Sequence, residues 1–375
     1  MLADCVLDLV GKAKALSGML HPRVQVSVGD LVRSMNCYYS NLIEGHDTHP
    51  RDIDRALARD YSREPRKRAL QVEAAAHIEV QRMIDRGEDP QVEPASREYI
   101  LWLHKSFCER LPEEMLRGEN PDTRERVAVI PGKIRERSVS VGRHLPPRPE
   151  SLDRFLSRFE EAYTSKGLSR SARIVAVGAA HHRLLWIHPF TDGNGRVTRL
   201  MFHAMLRRLG LGGPLWSVAR GLARRVADYK RLLESADESR AGDLDGRGSL
   251  SEKALVDFCR FFLDVSIDQV EYMTSLLDPP ELLNRMRIHV EEETAARRMP
   301  KRSFQLLREA LLAGVFPRGR AAELTGTGPR RASDTLSALA KRGFLVSDGP
   351  KKPVRLGFPM DVVERWFPQL YPIRI

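Results

Sequence analysis

The sequence predicts a mainly α-helical protein built from two or three domains. Apolar residues recur at helical spacing over most of the 375 residues. Alternating, strand-like spacing replaces that pattern twice, once between residues 121 and 149 and once near the end of the chain. A chain of this length also exceeds what one hydrophobic core usually organises, since domains average roughly 150 residues.

The composition is that of an ordinary globular chain. Hydrophobic residues make up 42% and charged residues 30%, which excludes a disordered or collagen-like protein. The longest apolar stretches are far shorter than the ~20 residues that cross a bilayer, and the N-terminus lacks a basic secretory signal. We therefore expect a cytoplasmic location and no membrane partner. Four isolated cysteines lack zinc-ligand spacing and are expected to be buried free thiols: Cys5, Cys37, Cys108 and Cys259.

Helical patterns fill residues 1–110, which we expect to form an N-terminal helical region. The second helix is predicted at about residues 28–44. It ends at Glu44-Gly45, where glycine can adopt the left-handed conformation that closes helices.

Residues 111–275 are predicted to form the core. Valines alternate with polar residues up to Val141, and Pro146-Pro147 ends the pattern, so we expect a β-hairpin flap at 132–147. The stretch from Ser171 to Trp186 is apolar on most faces, as in a buried central helix. A turn-forming run at 187–196 separates it from another helix, and a loop between two core helices is a good place for a site.

Residues 276–300 are expected to be a helical linker, and residues 301–375 a separate domain. Its predicted order is helix, helix, turn, helix and two short strands, which is the order of a winged helix-turn-helix. It carries 14 basic and 6 acidic residues, whereas residues 1–300 carry 47 and 44. This surplus favours an anionic partner, with DNA as the leading candidate. Four residues are the candidate DNA contacts, two at the start of the last helix and two in the turn between the strands: Arg330, Arg331, Lys351 and Lys352. Winged helices also dock proteins and form dimers, so protein binding stays an alternative.

The loop before the predicted helix at 196–209 has the residues of a phosphate site. Gly193, Asn194 and Gly195 precede the helix, where unpaired backbone N–H groups and the helix dipole favour an anion. Arg196 and Arg199 lie three apart, hence on one helix face, and can bind further phosphates.

Two other residues of the loop supply acid–base and metal chemistry. Asp192 is a hard oxygen ligand suited to Mg²⁺. His188 is the one side chain of the loop that accepts a proton near neutral pH, as a base that activates a hydroxyl must. Together these residues suggest transfer of a phosphate-linked group to a hydroxyl. The simpler alternative, a helix N-terminal turn with a capping aspartate, would account for any one of them alone.

The run from His188 to Arg199, His-Pro-Phe-Thr-Asp-Gly-Asn-Gly-Arg-Val-Thr-Arg, resembles the signature of the Fic family in every constrained position. Residues from about 25 to 275 look like that family's domain with its N-terminal extension. The resemblance implies an adenylyltransferase, which moves AMP from ATP to a Ser, Thr or Tyr hydroxyl of a protein and releases pyrophosphate. The target is unidentified and in vitro would include the enzyme itself. Gly195 stands where the family's protein kinases bear lysine.

The resemblance also implies a role for each residue of the loop. His188 would deprotonate the target hydroxyl, and Asp192 would hold Mg²⁺. Asn194 and the amides of Gly193 and Gly195 would hold the α- and β-phosphates. Arg196 would stabilise the leaving pyrophosphate, and Arg199 would meet the γ-phosphate. The flap at 132–147 would pin a target segment as an added strand, and Tyr229 would lie near the adenine, although its neighbours Asp228 and Lys230 depart from the family pattern.

Ser40-Asn-Leu-Ile-Glu44-Gly45 resembles the inhibitory motif that some Fic proteins carry. Ser40 and Glu44 are four apart and share a helix face. The implied partner is Arg199, which a Glu44 carboxylate would withhold from the γ-phosphate. Some family members use the same glutamate to remove AMP, and the sequence leaves that role open. Spacing alone favours a surface glutamate near a helix end, and the signature elsewhere in the chain favours the inhibitory motif instead.

A second class of function is a DNA-binding regulator whose nucleotide site acts as a sensor. The intact His188 favours the enzyme, because a sensor needs no base. His181-His182 and His46-x-x-His49 are read as core or surface histidines, not metal ligands. Besides ATP, the target and DNA, a second copy of the chain in a homodimer remains a candidate partner.

Overall fold

The computed structural model describes residues 2–46, 48–119, 126–164 and 167–371. The predicted mainly helical fold is confirmed. The helices of the first part of the chain are α1 (Leu2–Met19), α2 (Pro22–Ile43), α3 (Pro50–Leu57), α4 (Pro65–Arg86), α5 (Arg97–Cys108), α6 (Leu152–Thr164), α7 (Arg170–Ile187), α8 (Asn194–Arg208), α9 (Val218–Arg224), α10 (Val226–Asp237) and α11 (Glu252–Leu277). Strands β1 (Arg117–Glu119) and β2 (Arg126–Ala128) lie between α5 and α6.

The later helices are α12 (Pro279–Ala295), α13 (Ser303–Leu312), α14 (Ala321–Thr325), α15 (Pro329–Lys341) and α16 (Met360–Trp366). Strands β3 (Val315–Phe316), β4 (Leu345–Val346) and β5 (Val354–Leu356) accompany them. None of the helices in the described ranges combines the length and the apolar character needed to cross a membrane.

The chain divides into two compact units. The first contains residues 2–11, 36–213 and 217–269, and the second contains residues 12–35, 214–216 and 270–371. These boundaries differ from the four predicted regions, because residues 36–110 belong with the core and residues 276–300 belong with the C-terminal segment. Helices α1, α2 and α11 each cross the division, so no break in helical periodicity marks it in the sequence.

Helices α7 and α8 form the centre of the first unit, with α4, α5 and α6 packed around them. Gly178 of α7 lets α11 approach closely, since an added Cβ would lie 3.4 Å from both the Cα of Cys259 and the Cβ of Phe262. Phe202 and Phe258 complete an aromatic cluster around the buried His181. This packing fixes the two helices that flank the 188–193 loop.

The end of α2 packs on α4 within the same unit. Asn36 donates to Gln81 over 2.6 Å, and the Cys37 thiol donates to the carbonyl of Ala74 over 3.6 Å. Gly45 takes a positive φ of 79°, and the amides of Gly45 and His46 return to the carbonyls of Leu42 and Asn41. This pair of hydrogen bonds is the Schellman motif. The predicted glycine cap is therefore confirmed, and Glu44 lies at the C-cap. The helix begins at Pro22, not at residue 28.

The strand pairing between α5 and α6 differs from the predicted hairpin. The paired strands are β1 and β2, antiparallel with Gly118 opposite Val127, and residues 120–125 between them lie outside the described residues. Within 132–147 the described pairing is one antiparallel bridge, Val141 to His144. The valine alternation there predicted longer strands, but Val141 is 43% exposed and Leu145 78% exposed. Alternating apolar side chains stabilise a strand little when its apolar face does not pack on a core.

The second unit builds a three-stranded sheet in the order β3-β5-β4, with both pairs antiparallel. Helices α13, α14 and α15 precede the β4-β5 hairpin, and Pro329 opens α15 as predicted. Gly343 closes it with φ 77°. The core is apolar and fully buried, and it includes Leu306, Leu339, Phe344, Leu356 and Trp366. Strand β3 and helix α16 were not predicted, because two and seven residues carry too little periodicity.

Candidate active site

His188 occupies the end of α7 in a left-handed conformation, with φ 49° and ψ 61°. Its Nδ1 lies 3.4 Å from the carbonyl of Leu185 and donates to it, so the lone pair is on Nε2. Burial lowers the pKa of His188 to about 4. The imidazole is therefore neutral near pH 7 and free to accept a proton through Nε2.

The unusual backbone of His188 is held by Arg135, which lies in the 132–147 segment and is 4% exposed. Its guanidinium donates to the carbonyls of His188, Arg137 and Pro147 over 2.8, 2.8 and 2.6 Å. Its amide donates to the carbonyl of Pro189 over 2.9 Å. Arg135 thus fastens the predicted flap to the residue that the sequence singled out as the base.

Asn194 closes the loop that follows His188. Its side-chain oxygen accepts from the Phe190 amide over 2.9 Å, and its side-chain nitrogen donates to the Phe190 carbonyl over 2.8 Å. The side chain thus bonds within the loop, and its role at the phosphates stays a prediction. The donors that remain are the backbone amides of the first turn of α8, which have no acceptor within the helix. Gly193, at the N-cap with φ 83°, turns the chain into that helix.

Arg196 projects from the first turn of α8 and is held by two carboxylates. Its Nη1 lies 2.5 Å from Glu73 Oε1, and its Nη2 lies 3.2 Å from Asp192 Oδ1. The guanidinium also lies over the ring of Phe107 at 5.1 Å. Its buried Nε has no hydrogen-bond partner among the described residues. Arg196 therefore retains donor capacity for an anion.

Glu73 is a buried carboxylate of α4, 5% exposed, that the sequence did not mark. Burial acts to raise its pKa, but the hydrogen bond to His46 and the charge of Arg196 outweigh it, and the net shift is downward. Glu73 is consequently ionised and fixes the orientation of Arg196. Asp192 differs from it, since its side chain is 52% exposed and can reach a ligand.

A cavity of about 80 Å³ adjoins Asp192, Gly193 and Arg196. Its other wall is mainly apolar, with Leu111, Met115, Leu116 and Val129. The polar wall carries the hard oxygen of Asp192 and the cation of Arg196, which suit a magnesium ion and a phosphate respectively.

Arg199 is 3% exposed and meets both residues of the predicted inhibitory motif. Its Nε donates to Ser40 Oγ over 2.7 Å, and its Nη2 donates to Glu44 Oε1 over 2.5 Å. Burial raises the pKa of Glu44, but the charge and hydrogen bond of Arg199 reverse this, so the pKa is lowered overall. Glu44 is thus ionised in this contact, with its side chain 35% exposed.

Gly195 makes room for the Glu44 carboxylate. A Cβ at that position would lie 2.1 Å from Glu44 Oε1 and 3.1 Å from Arg199 Nη1. Any side chain at 195 would therefore displace Glu44 or Arg199. The glycine that was expected to admit a phosphate admits a carboxylate in this conformation.

Tyr229, which the resemblance placed near the adenine, lies in the core of the first unit. It is 2% exposed, and its hydroxyl is 2.7 Å from His181 Nε2. Arg199 also interacts with that hydroxyl, while burial raises the pKa of Tyr229. Tyr229 thus supports Arg199 from within the core and offers no open surface to an adenine.

The structure brings together His188, Asp192, Gly193, Asn194, Gly195, Arg196 and Arg199 with Ser40 and Glu44, all within the first unit. The histidines that were considered as metal ligands have other contacts. His49 caps α3, where its Nδ1 accepts from the amide of Arg51. His182 contacts Asp237 at 3.0 Å. No group of three or more metal-ligating side chains occurs in the ranges that the structure describes. The four candidate DNA contacts belong to the second unit.

The profile of the Fic/DOC family matches residues 94–206, which include the whole 188–199 loop. This segment of the chain is thus similar to the Fic/DOC domain. Residues 40–44, Tyr229 and the C-terminal segment lie outside the matched range, so the match covers the loop and its neighbouring helices but not the inhibitory contact.

Curated relatives of the Fic domain are named "Protein adenylyltransferase Fic". Those of Nematostella vectensis and Drosophila melanogaster are both 40% identical to this chain over 79 residues, 21% of its length. The aligned part spans only 18% and 16% of these relatives. The similarity therefore concerns the domain and not the whole protein.

Solved structures share the fold of this chain. A Fic family protein from Desulfovibrio desulfuricans has a TM-score of 0.52 at 17% identity and covers 94% of this chain and 95% of its own. A Fic domain containing signaling protein from Bacteroides thetaiotaomicron has a TM-score of 0.53 at 20% identity, covering 72% of this chain and 96% of its own. The helical arrangement is thus that of Fic proteins.

Proposed function

We propose that this protein is an adenylyltransferase that transfers AMP from ATP to a Ser, Thr or Tyr hydroxyl of a protein. The observation that carries the proposal is the position of His188, whose Nδ1 is bonded to the Leu185 carbonyl and whose Nε2 can accept a proton, beside a helix N-terminus with two arginines. The 40% identity of this part of the chain to proteins named adenylyltransferase supports it.

The residues of the site divide the reaction among them. His188 Nε2 takes the proton of the target hydroxyl as its oxygen attacks the α-phosphorus, and the bond from that phosphorus to pyrophosphate breaks. The first-turn amides of α8 bind the phosphates, and Arg196 stabilises the charge that develops on the leaving pyrophosphate. Arg199 binds the γ-phosphate once Glu44 has left it.

The residues present fit a magnesium ion. Asp192 is an exposed carboxylate at the phosphate-binding helix start, and a carboxylate with phosphate oxygens is the ligand set that Mg²⁺ prefers. Magnesium would neutralise phosphate charge, while Asp192, which now accepts from Gly193 over 2.6 Å, would hold it.

We further propose that Glu44 and Ser40 form an inhibitory contact. Glu44 occupies the guanidinium of Arg199, where the γ-phosphate would bind, so ATP would be admitted only in an unproductive pose. The same carboxylate lies near enough to the loop to align a water, so a hydrolase that removes AMP from a modified hydroxyl is the alternative role. Both roles need the Glu44 carboxylate, and the two differ in which reaction the wild-type protein performs.

The test follows label from ATP onto protein. The Glu44→Gly protein with Mg²⁺ and ATP labelled at the α-phosphate should retain label, with the protein itself as target. The same protein with ATP labelled at the γ-phosphate should retain none, because that phosphate leaves in pyrophosphate.

Each contrary result identifies another function. Label retained from the γ-position would indicate a kinase. Label from neither position, with ATP binding demonstrated by calorimetry, would favour a nucleotide sensor, AMP removal or a donor other than ATP.

For the second unit we propose a winged-helix role in DNA binding. Helices α14 and α15 followed by the β4-β5 hairpin support it, and so does the exposure of four basic side chains at the start of α15 and between the strands, namely Arg330, Arg331, Lys351 and Lys352. The positive charge of Arg330 and Arg331 opposes the dipole at the start of α15, so an external anion would stabilise them. Protein docking and dimerisation through this unit are the alternatives, and a cytoplasmic location agrees with either.

We expect the double variant Arg330→Ala, Arg331→Ala to bind duplex DNA more weakly than wild type in fluorescence anisotropy. Its plot of log affinity against log salt concentration should be shallower, with the magnitude of the slope reduced by about 2, because two phosphate contacts are lost. Arg287→Ala, Arg308→Ala removes equal charge from the same unit and should keep the slope. Absent or salt-insensitive binding of duplex by wild type would contradict the DNA proposal.

A further inference from the structure

His104 lies in α5 at the back of the site, outside the signature loop. It is 1% exposed, and its ring stacks on Phe190 with centroids 3.8 Å apart and planes 2° from parallel. Neither residue periodicity nor the family signature assigns it a role.

The two ring nitrogens of His104 contact two different segments. Nδ1 accepts from the Gly132 amide over 2.9 Å, at the start of the 132–147 segment. Nε2 lies 3.3 Å from the carbonyl oxygen of Asp192, in the phosphate loop, and 3.4 Å from Cys108 Sγ of its own helix. Because a backbone N–H occupies Nδ1, that nitrogen bears no proton, so Nε2 carries the hydrogen and donates to the carbonyl.

The surroundings keep this tautomer in place. Gly132 has φ 73°, and an added Cβ would lie 3.1 Å from Lys105 Cβ, so the segment start packs directly on α5. A Cβ on Gly193 would lie 3.6 Å from the His104 ring. One ring thus fills the space between the two segments.

We propose that His104 is a positioning residue that links the target-docking segment to the phosphate loop, one segment through each ring nitrogen. The inference rests on the proposed adenylyltransferase function, in which residues 132–147 dock the target and Asp192 lies at the nucleotide. His104 touches neither reactant. It fixes the position of the Asp192 backbone relative to Gly132. It thereby also sets the distance between the hydroxyl of a docked target and the nucleotide.

Two isosteric variants separate the two links, made in the Glu44→Gly protein. The oxygen of asparagine can stand in for Nδ1, so His104→Asn keeps the bond from Gly132 and loses the one to Asp192. The terminal amide of glutamine can stand in for Nε2, so His104→Gln keeps the bond to Asp192 and loses the one from Gly132.

We expect His104→Asn to weaken binding of ATP with Mg²⁺ by about three- to tenfold in calorimetry, the effect of a lost second-sphere hydrogen bond. We expect His104→Gln to leave that affinity within about twofold and to raise KM for a protein target by about three- to tenfold. The target probe is a second copy of the chain bearing His188→Ala. Equal losses in both readouts for both variants would reduce His104 to a packing residue.

Two measurements do not depend on transfer activity. Hydrogen–deuterium exchange at the Gly132 amide should quicken in His104→Gln and stay protected in His104→Asn. In the wild-type protein, ¹⁵N NMR of the ring should show Nδ1 as the acceptor and Nε2 as the protonated nitrogen, whether or not a variant folds. A protonated Nδ1 would overturn the proposal, whereas a confirmed exchange split without transfer activity would keep the link and reject the proposed function.

His203 provides the matched control. It is a buried histidine of the same unit, and its Nε2 lies 2.8 Å from Asp85 Oδ1, which belongs to neither segment. His203→Asn and His203→Gln should change the melting temperature without separating ATP affinity from target KM. If the His203 variants separated ATP affinity from target KM as strongly as the His104 variants do, the separation would not be specific to the link. That result would overturn the proposal.

Discussion

Glu44→Gly should raise the rate of AMP transfer to protein by about tenfold or more, the factor that corresponds to ~1.4 kcal/mol of competition at Arg199. In the structure Glu44 holds the guanidinium over 2.5 Å, at the position that the γ-phosphate needs. Because its side chain is 35% exposed, solvent screens the contact and the lower end of the charged hydrogen-bond range applies. Arg199 keeps Ser40 as a partner in the variant, so its orientation is retained while its anion is lost. Initial rates of α-label incorporation measure the effect.

A matched control distinguishes release of Arg199 from general loosening of a helix end. Glu88 also follows a helix, α4, and pairs weakly with Arg86 at 4.0 Å. Glu88→Gly repeats the same chemical change at an exposed site, and its transfer rate should equal that of wild type. Equal rates for Glu44→Gly and wild type would contradict inhibition, and so would an equal rise in Glu88→Gly.

The same variant also separates the two roles of Glu44. Protein labelled by the Glu44→Gly enzyme can be purified and incubated with wild type and Mg²⁺. Loss of label with wild type but not with Glu44→Gly would assign hydrolysis to the carboxylate. Stable label with both would leave inhibition as its role.

The signature loop could be predicted because its determinants are contiguous. His188, Asp192 and the glycines lie within a few residues of one another, and glycine, asparagine and proline there have few uses other than a tight turn. The Glu44 contact followed from helix spacing and the resemblance, and the structure places its partner Arg199 at hydrogen-bond distance. In such cases local sequence carries most of the geometry.

Residues that support the loop from other elements could not be found in this way. Glu73, His104 and Arg135 come from 53 to 123 positions before the residues they hold. In sequence, each is an ordinary polar residue of a helix or loop. What distinguishes these residues is the burial of a charged group or a ring. Burial depends on tertiary packing, which the spacing of apolar residues in the sequence does not report. The internal contacts of Asn194 and Tyr229 were missed for the same reason, since their residue types suggested ligands.

Errors in the elements also have physical causes. The break between helices α9 and α10 at Arg225 could not be predicted, because no proline or glycine marks it. The start of α2 at Pro22 could have been recognised, because proline favours the first helical position. It was missed because the prediction followed the apolar spacing, which suggested a start near residue 28.

His188→Ala in the Glu44→Gly background should lower AMP transfer by about 10²- to 10⁴-fold, the usual contribution of a general base. ATP affinity should change little, because the phosphates are bound by the α8 amides and the arginines and not by the imidazole. Transfer rates and calorimetry in parallel would show this division between chemistry and binding. His182→Ala, another histidine of α7 with contacts at Asp237, serves as the control for damage to the helix and should retain transfer.

The pH dependence provides an independent check on His188 as the base. A base acts in its unprotonated form, and the folded pKa of about 4 means that His188 is already unprotonated well below neutrality. Transfer by Glu44→Gly should therefore be level between about pH 6 and 8 and fall only in more acidic solution. A free imidazole would instead give a rate that climbs through roughly pH 6.5. Such a climb, with transfer retained by His188→Ala, would place the base elsewhere, since it would show that the titrating group is not the buried ring at the end of α7.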